Sequence, residues 1–301
     1  MSEHIERPVK SAGESDTHEG VMHQPGHQSL PALDVRPFFH QVRASLLGLL
    51  VQLTPHEWDA PTAAGHWRVR DVVAHLLGDD IGRLSRSRDA YPGPGPEAGE
   101  PHPTFLNRFN EEWVGATTRA SPTVLQELLT ATSHSIHTFW GQKDLTRLGE
   151  AVSWAGPGPA PVWLDCARDF TEDWVHQEQI REAVGRTRPH DPTVLRAVID
   201  TFMYAMPLTL NTHAGHARDG DTLEVRLADD GARIWSWCRE RRQWQSTHSA
   251  DDRTATIVSD SATWWRLCVR MLDPQEARSR MHVIGDARLA AAATEIISII
   301  R

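Results

Sequence analysis

The sequence predicts an α+β protein: an up-and-down helical bundle over residues 33–215, followed by a small α+β domain over residues 220–301. Two observations predict it. Before residue 215, segment after segment repeats apolar residues at helical spacing, with no strand pattern between them. After about Gly220 the texture changes to alternating runs separated by turn residues. At 301 residues the chain is long enough for two domains with their own cores.

Residues 1–32 are polar, rich in His, Gly, Ser and Pro, and aperiodic, which predicts a disordered tail. From Asp34 to Leu53, Phe38, Val42, Leu46 and Leu50 mark a first helix. A second is expected from Val69 to Tyr91, stopped by YPGPGPEAGEPHP, with further helices over about 103–120 and 122–140. The loop WAGPGPAP leads into a long helix from about Val162 to Val184, closed by Gly185. Asp191 followed by Pro192 reads as an N-cap with Pro at the first helical position, opening a helix toward Leu210. In the tail domain, TLEVRLA, the turn DDG and ARIWSWCRE read as a hairpin. TATIVSD, a helix from Ser261 to Met271, the short strand MHVIGD and an Ala/Ile-rich terminal helix complete it.

Composition narrows the function. The formal net charge is −9 and no Lys/Arg-rich run interleaves with aromatics, so nucleic acid is a poor partner. No stretch approaches the roughly 18 apolar residues of a membrane span, and the N-terminus has no apolar core of a secretory signal. Cys166, Cys238 and Cys268 are scattered and odd in number, which argues for a reducing compartment, the cytoplasm. There is no GxSxG, P-loop, GxGxxG or HExxH. Oligomeric state is left open.

Glu172 and His176 stand four apart in EDWVH, so a helix carries both on one face with Cβ atoms roughly 5–6 Å apart. Leu164, Val175, Ile180 and Ala183 surround that face, where a lone carboxylate is costly unless paired or bound to a cation. His75, in VRDVVAHLLGDD, has Asp71 and Asp79 one turn to either side, the arrangement that fixes the tautomer of a ligating imidazole. Taken singly, each is more commonly a core or helix-edge residue. Together they form an N2O set of three ligands with open positions, the pattern of a catalytic metal site, and zinc suits it best. His134 with His137 and His213 with His216 read as surface or linker pairs, and His4, His18, His23 and His27 as solvated tail residues. Cys166 reads as core.

These residues sit in segments that resemble the mycothiol-dependent maleylpyruvate isomerase-like family, whose helical bundle is of the DinB type. The matching pieces are HWRVRDVVAHL, SWAGPGPAP and DFTEDWVHQEQIREAVGR. TATIVSDSATWWRLCVRM through MHVIGDARLA resembles the sterol-carrier-like domain that follows the bundle in many members. The resemblance spans about residues 35–300. It implies that His75, Glu172 and His176 are the divalent-metal triad, usually of zinc, and that mycothiol is the thiol co-substrate. Gln179 stands where many members carry an acidic residue, and Val269-Arg270 where Gly-Arg is common. Both departures bear on substrate specificity and neither touches the triad.

The chemistry implied is a metal-activated thiolate attacking an electrophilic carbon of a small molecule, as an S-transferase or a cis–trans isomerase. Arg270, the candidate catalytic residue, and Arg181 are the cations available to hold a substrate carboxylate, surface salt bridging being the commoner role for each. The alternatives are a metal-containing carrier that sequesters an apolar or thiol ligand without turnover, and a stress-induced metal protein with no thiol partner.

Overall fold

Helix α1 (Arg36–Leu50) opens the ordered chain with Phe39, Val42, Leu46, Leu49 and Leu50 buried at helical spacing, in a computed structural model that describes residues 30, 32–231, 233–247 and 253–298. The tail expected over residues 1–32 lies largely outside the described residues. A one-turn helix, α2 (Pro55–Trp58), follows; its Thr54/Glu57 capping box is legible in TPHE but was not anticipated. Then come α3 (Val69–Arg83), α4 (His102–Ala116), α5 (Pro122–Gly141) and α6 (Val162–Ala183). Helices α1, α3, α5 and α6 pack as the bundle, with α4 laid against the outside of α3. None is long and apolar enough to cross a membrane.

Local chemistry explains the helix ends. The Asp71 carboxylate accepts from the backbone N–H of Arg68 at 3.0 Å and fixes the start of α3. Ser121 caps α5 by accepting from Val124 N–H. Gly185, at φ +66°, closes α6 in the left-handed conformation, with Arg186 N–H reaching back to the Arg181 carbonyl. The helix expected to run to Tyr91 is shorter: after Arg83 it widens into a π-turn over residues 84–88. Tyr91, which precedes Pro92, is a position where α backbone is disfavoured.

Beyond Gly185 come α7 (Pro192–Phe202), capped by Asp191 as expected, a 3₁₀ turn at 203–205, and α8 (Met206–His213). Strands β1 (Thr222–Leu227), β2 (Arg233–Glu240), β3 (Gln243–Thr247), β4 (Ala255–Ser259) and β5 (His282–Gly285) form one mixed sheet in the order β3-β2-β1-β4-β5. The β1–β4 pairing is parallel and the other neighbours are antiparallel. Helices α9 (Ser261–Cys268), α10 (Pro274–Arg280) and α11 (Ala287–Ala293) complete the tail. Strand β3 and helix α10 were not foreseen, and α9 stops three residues before Met271. There Arg270 takes the left-handed conformation (φ +57°) and Met271 N–H turns back to the Arg266 carbonyl.

Packing crosses the expected boundary near residues 215–220. Helix α8 lies on β3 and α11, and α7 lies between α6 and α9. One continuous core joins Phe39 and Phe170 of the bundle to Trp237, Trp264 and Trp265 of the tail. Trp174 of α6 meets Trp265 of α9 edge to face, with centroids 5.0 Å apart. This contact anchors α9, whose end delivers Val269 to the bundle.

Candidate metal centre

Helices α3 and α6 bring His75, Glu172 and His176 together. One ligand-type atom from each lies within 4.8 Å of the others, and among the described residues no other such group of His, Cys, Asp and Glu converges. Both imidazoles are buried, their ring centroids are 4.9 Å apart, and Glu172 is half-buried. The site forms where the seam between two core helices is polar along its length. Asp80 and Asp173 clamp the buried Arg43 of α1, and Asp165 and Asp169 clamp Arg83.

Hydrogen bonding orients these side chains. Nδ1–H of His176 donates to Oε1 of Gln179 at 2.8 Å, which directs Nε2 at Glu172 Oε2, 3.3 Å away. Two acceptors at that separation repel unless a proton or cation lies between them. The His176 pKa reflects this: burial lowers it, but the Glu172 carboxylate and Gln179 outweigh burial and raise it above the ordinary value. His75 shows the opposite. Burial and the neighbouring His176 hold its pKa well below the imidazole range. Its Nε2 lies 3.3 Å from Asp79 Oδ2. Packing, together with the Glu172 and Asp169 charges, pushes Asp79 well above the carboxylate range, although its side chain remains 45% exposed.

Two imidazoles and a carboxylate, with the His176 proton held on Nδ1 and Nε2 directed at Glu172, fit a divalent cation. The ligands of a tetrahedral ion with bonds of ~2.05 Å lie about 3.3 Å apart, within side-chain rotation of the observed spread.

Beside the triad is a cavity of about 290 Å³. Its walls come from the loop before α3 (Ala63–Trp67), from Asn107, Asn110 and Glu111 on α4, from Val175 and Gln179 on α6, and from Val269 of the tail. The Trp67 ring packs on His75 with centroids 4.9 Å apart, and its Nε1–H donates to Glu111 Oε1 at 3.0 Å. Helix α4 approaches closely because Gly78 has no side chain. A Cβ there would lie 2.6 Å from the Trp113 ring, whose Nε1–H donates to the Ala74 carbonyl at 2.7 Å. Sequence reasoning missed Trp67 and the α4 residues as site components. Positions 107, 110 and 111 share a helical face, but spacing alone does not say what that face meets.

The other candidates lie elsewhere. Arg270 is not among the residues lining the cavity. Its guanidinium donates to the carbonyls of Thr294 (3.2 Å) and Glu295 (2.8 Å), so it ties down the C-terminal segment, and Val269 takes the place at the cavity. Arg181 donates to Ser45 Oγ at 3.0 Å. His134, His137 and His213 are exposed, and His4, His18, His23 and His27 lie outside the described residues. Burial raises the thiol pKa of Cys166, which makes it an inert core residue.

A helical bundle with a convergent His/Glu/His group, completed by a small mixed-sheet domain, thus defines the class. Residues 39–181, most of the bundle, match the model of the mycothiol maleylpyruvate isomerase N-terminal domain. The crystal structure of the mycothiol-dependent maleylpyruvate isomerase is similar in fold at a TM-score of 0.50 and 13% identity, covering 79% of this chain and 88% of that one. A histidine-to-alanine mutant of that enzyme gives the same score and coverage at 12% identity. The ubiquinone synthesis protein UbiJ-SCP2 covers 36% of this chain and 94% of its own at 21% identity, with a TM-score of only 0.23. No curated protein matches the chain significantly.

Proposed function

We propose that this chain is a metal- and mycothiol-dependent enzyme whose His75, Glu172 and His176 hold one divalent ion, zinc being the best match to the donor set. On this reading a thiolate adds to, or is exchanged on, an electrophilic carbon of a small molecule, as an S-transferase or a cis–trans isomerase. One observation carries it: three ligand-type side chains converge beside a walled cavity large enough for a small substrate. The match of the bundle to a family model described by mycothiol supports the choice of thiol. The fold relatives, named as mycothiol-dependent isomerases, agree with it. Such an enzyme works in the cytoplasm, where a small thiol stays reduced.

A dication held by the triad supplies one thing, deprotonation at neutral pH of a coordinated thiol whose free pKa is about 8.5. The chain's own residues do the rest. Gln179 keeps the His176 proton on Nδ1, and Trp67 covers His75 against water. The sulfur forms a bond to an alkene carbon of the substrate, and the π pair moves onto the conjugated carbonyl oxygen. In an isomerase the resulting single bond rotates, the pair returns, the C–S bond breaks and the trans alkene leaves. In a transferase the carbon takes up a proton and the C–S bond stays. The Asn107 and Asn110 amides in the cavity wall are the donors for the developing oxyanion.

Metal analysis of the purified protein should find about one equivalent of a divalent ion per chain. Calorimetry of mycothiol binding in two buffers of different ionisation enthalpy should give different heats, because coordination releases the thiol proton. Equal heats, or no binding, would leave the carrier or thiol-independent reading in its place.

A further inference from the structure

We infer that the electrophile taken at this site is an uncharged molecule and not a carboxylate-bearing one, an inference that rests on the thiol-addition reading above. The described residues lining the cavity include no Arg or Lys. The tail domain offers it Val269, while the adjacent Arg270 guanidinium is held by the carbonyls of Thr294 and Glu295. Along the α3–α6 seam each cation is already taken by carboxylates: Arg43 by Asp80 and Asp173, and both Arg83 and Arg168 by Asp165 and Asp169.

What the wall does carry is a carboxylate. Glu111 reaches the cavity from α4, and its Oε2 lies 3.3 Å from His66 Nε2, so even a protonated His66 is spent on it. Glu172 adds a second carboxylate at the seam. Counting charges at the centre, a dication, the Glu172 carboxylate and a thiolate sum to zero, so nothing there offsets a substrate carboxylate. The polar groups that remain, the amides of Asn107, Asn110 and Gln179, are neutral and suit carbonyl or hydroxyl oxygens. Like charges brought together without a counter-ion are rejected by the site.

The test compares two cis-alkenes flanked by carbonyl groups, both isomerised by reversible thiol addition. One is the uncharged cis-hex-3-ene-2,5-dione; the other is maleylpyruvate, which carries carboxylates. With holoenzyme and mycothiol at neutral pH, kcat/KM should favour the diketone by at least about tenfold. Glu111→Gln, which keeps an acceptor for Trp67, should narrow that ratio. Asn107→Lys, at an exposed position of the wall, should narrow it further by raising the maleylpyruvate rate. Saturation-transfer NMR on the metal-free protein should show hexane-2,5-dione bound in preference to levulinate. Preference for maleylpyruvate, or a ratio unmoved by both variants, would overturn the inference while leaving thiol addition standing. Turnover of neither compound by metal-loaded protein would remove the thiol-addition reading, and the inference with it.

Discussion

The imidazole of His176 donates through Nδ1 to the side-chain carbonyl of Gln179 at 2.8 Å, one turn further along the same helix. That bond decides which ring nitrogen faces Glu172 and His75. If the triad holds a metal, Gln179→Leu should weaken its affinity about 10–100-fold, the usual cost of losing a partner that orients a ligating imidazole. Gln179→Glu, which keeps the acceptor, should stay close to wild type. Competition against a chromogenic chelator measures both, and a leucine variant of undiminished affinity would deny Gln179 this role.

Replacing Glu172 and His176 together with Ala should reduce metal in the purified protein to background. The pair contributes two of the three convergent ligand-type side chains. Far-ultraviolet circular dichroism should stay helical, since Glu172 is only half-buried and the two substitutions leave the apolar core of the bundle intact. Stoichiometric metal in a folded double variant would show that the ion binds elsewhere.

Gly78→Ala should destabilise the protein by about 1–3 kcal/mol, because the new Cβ meets the Trp113 ring at 2.6 Å. Displacing Trp113 also breaks its bond to the Ala74 carbonyl and shifts the wall carrying Asn107, Asn110 and Glu111, so KM should rise. Gly82→Ala on the same helix is the control. Its nearest neighbour is the flexible Arg86 side chain at 3.6 Å, and a gain of up to ~1 kcal/mol is expected. Thermal denaturation separates the two; equal melting temperatures would refute the close-approach argument.

Arg43 lies within bonding distance of both Asp80 (3.0 Å) and Asp173 (2.8 Å), all three side chains being under a tenth exposed. Arg43→Ala leaves two buried carboxylates uncompensated and should cost about 3–5 kcal/mol. Adding Asp80→Asn and Asp173→Asn should recover part of the loss, which urea titration would measure. A triple variant no more stable than the single one would mean that the charges are not the cause.

Asp200 of α7 accepts from Trp235 Nε1–H at 3.0 Å and pairs with Arg233, yet burial outweighs the cation and pushes its pKa up to about 6. The folded state then binds this proton more tightly than the unfolded chain, whose value is 3.8. Its contribution is therefore greatest below the unfolded pKa and falls as pH rises from about 4 to about 6. Asp200→Asn, which keeps an acceptor for Trp235, should flatten the stability profile in that window. Parallel profiles for the two proteins between pH 4 and 6 would contradict the assignment.

Much of the bundle was legible because its elements obey one period and carry their own punctuation. Ser121, Asp191 and Gly185 each do at a helix end what their side chains, or the lack of one, allow locally. Strand β3 was missed because QWQST has a single buried residue, Trp244, and is held as a strand by its register with β2. The early stop of α9 was missed because nothing in LCVRML marks Arg270 as a left-handed residue. It becomes one where its guanidinium meets the Thr294 and Glu295 carbonyls, some 24 residues away.

What the sequence determined by itself is the triad as a set of candidates and the two-part α+β plan. A four-residue spacing places Glu172 beside His176 on any α-helix, and a change of period separates helices from strands. Which side of α6 would meet His75, and that α4 would close over it, is not a property of any one segment. The approach of Trp113 over Gly78, the Trp174–Trp265 contact that brings Val269 to the cavity, and the diversion of Arg270 to the C-terminal carbonyls decide these. Each is a contact between residues far apart in the chain, and its energy depends on shape and burial that exist only once the elements have packed.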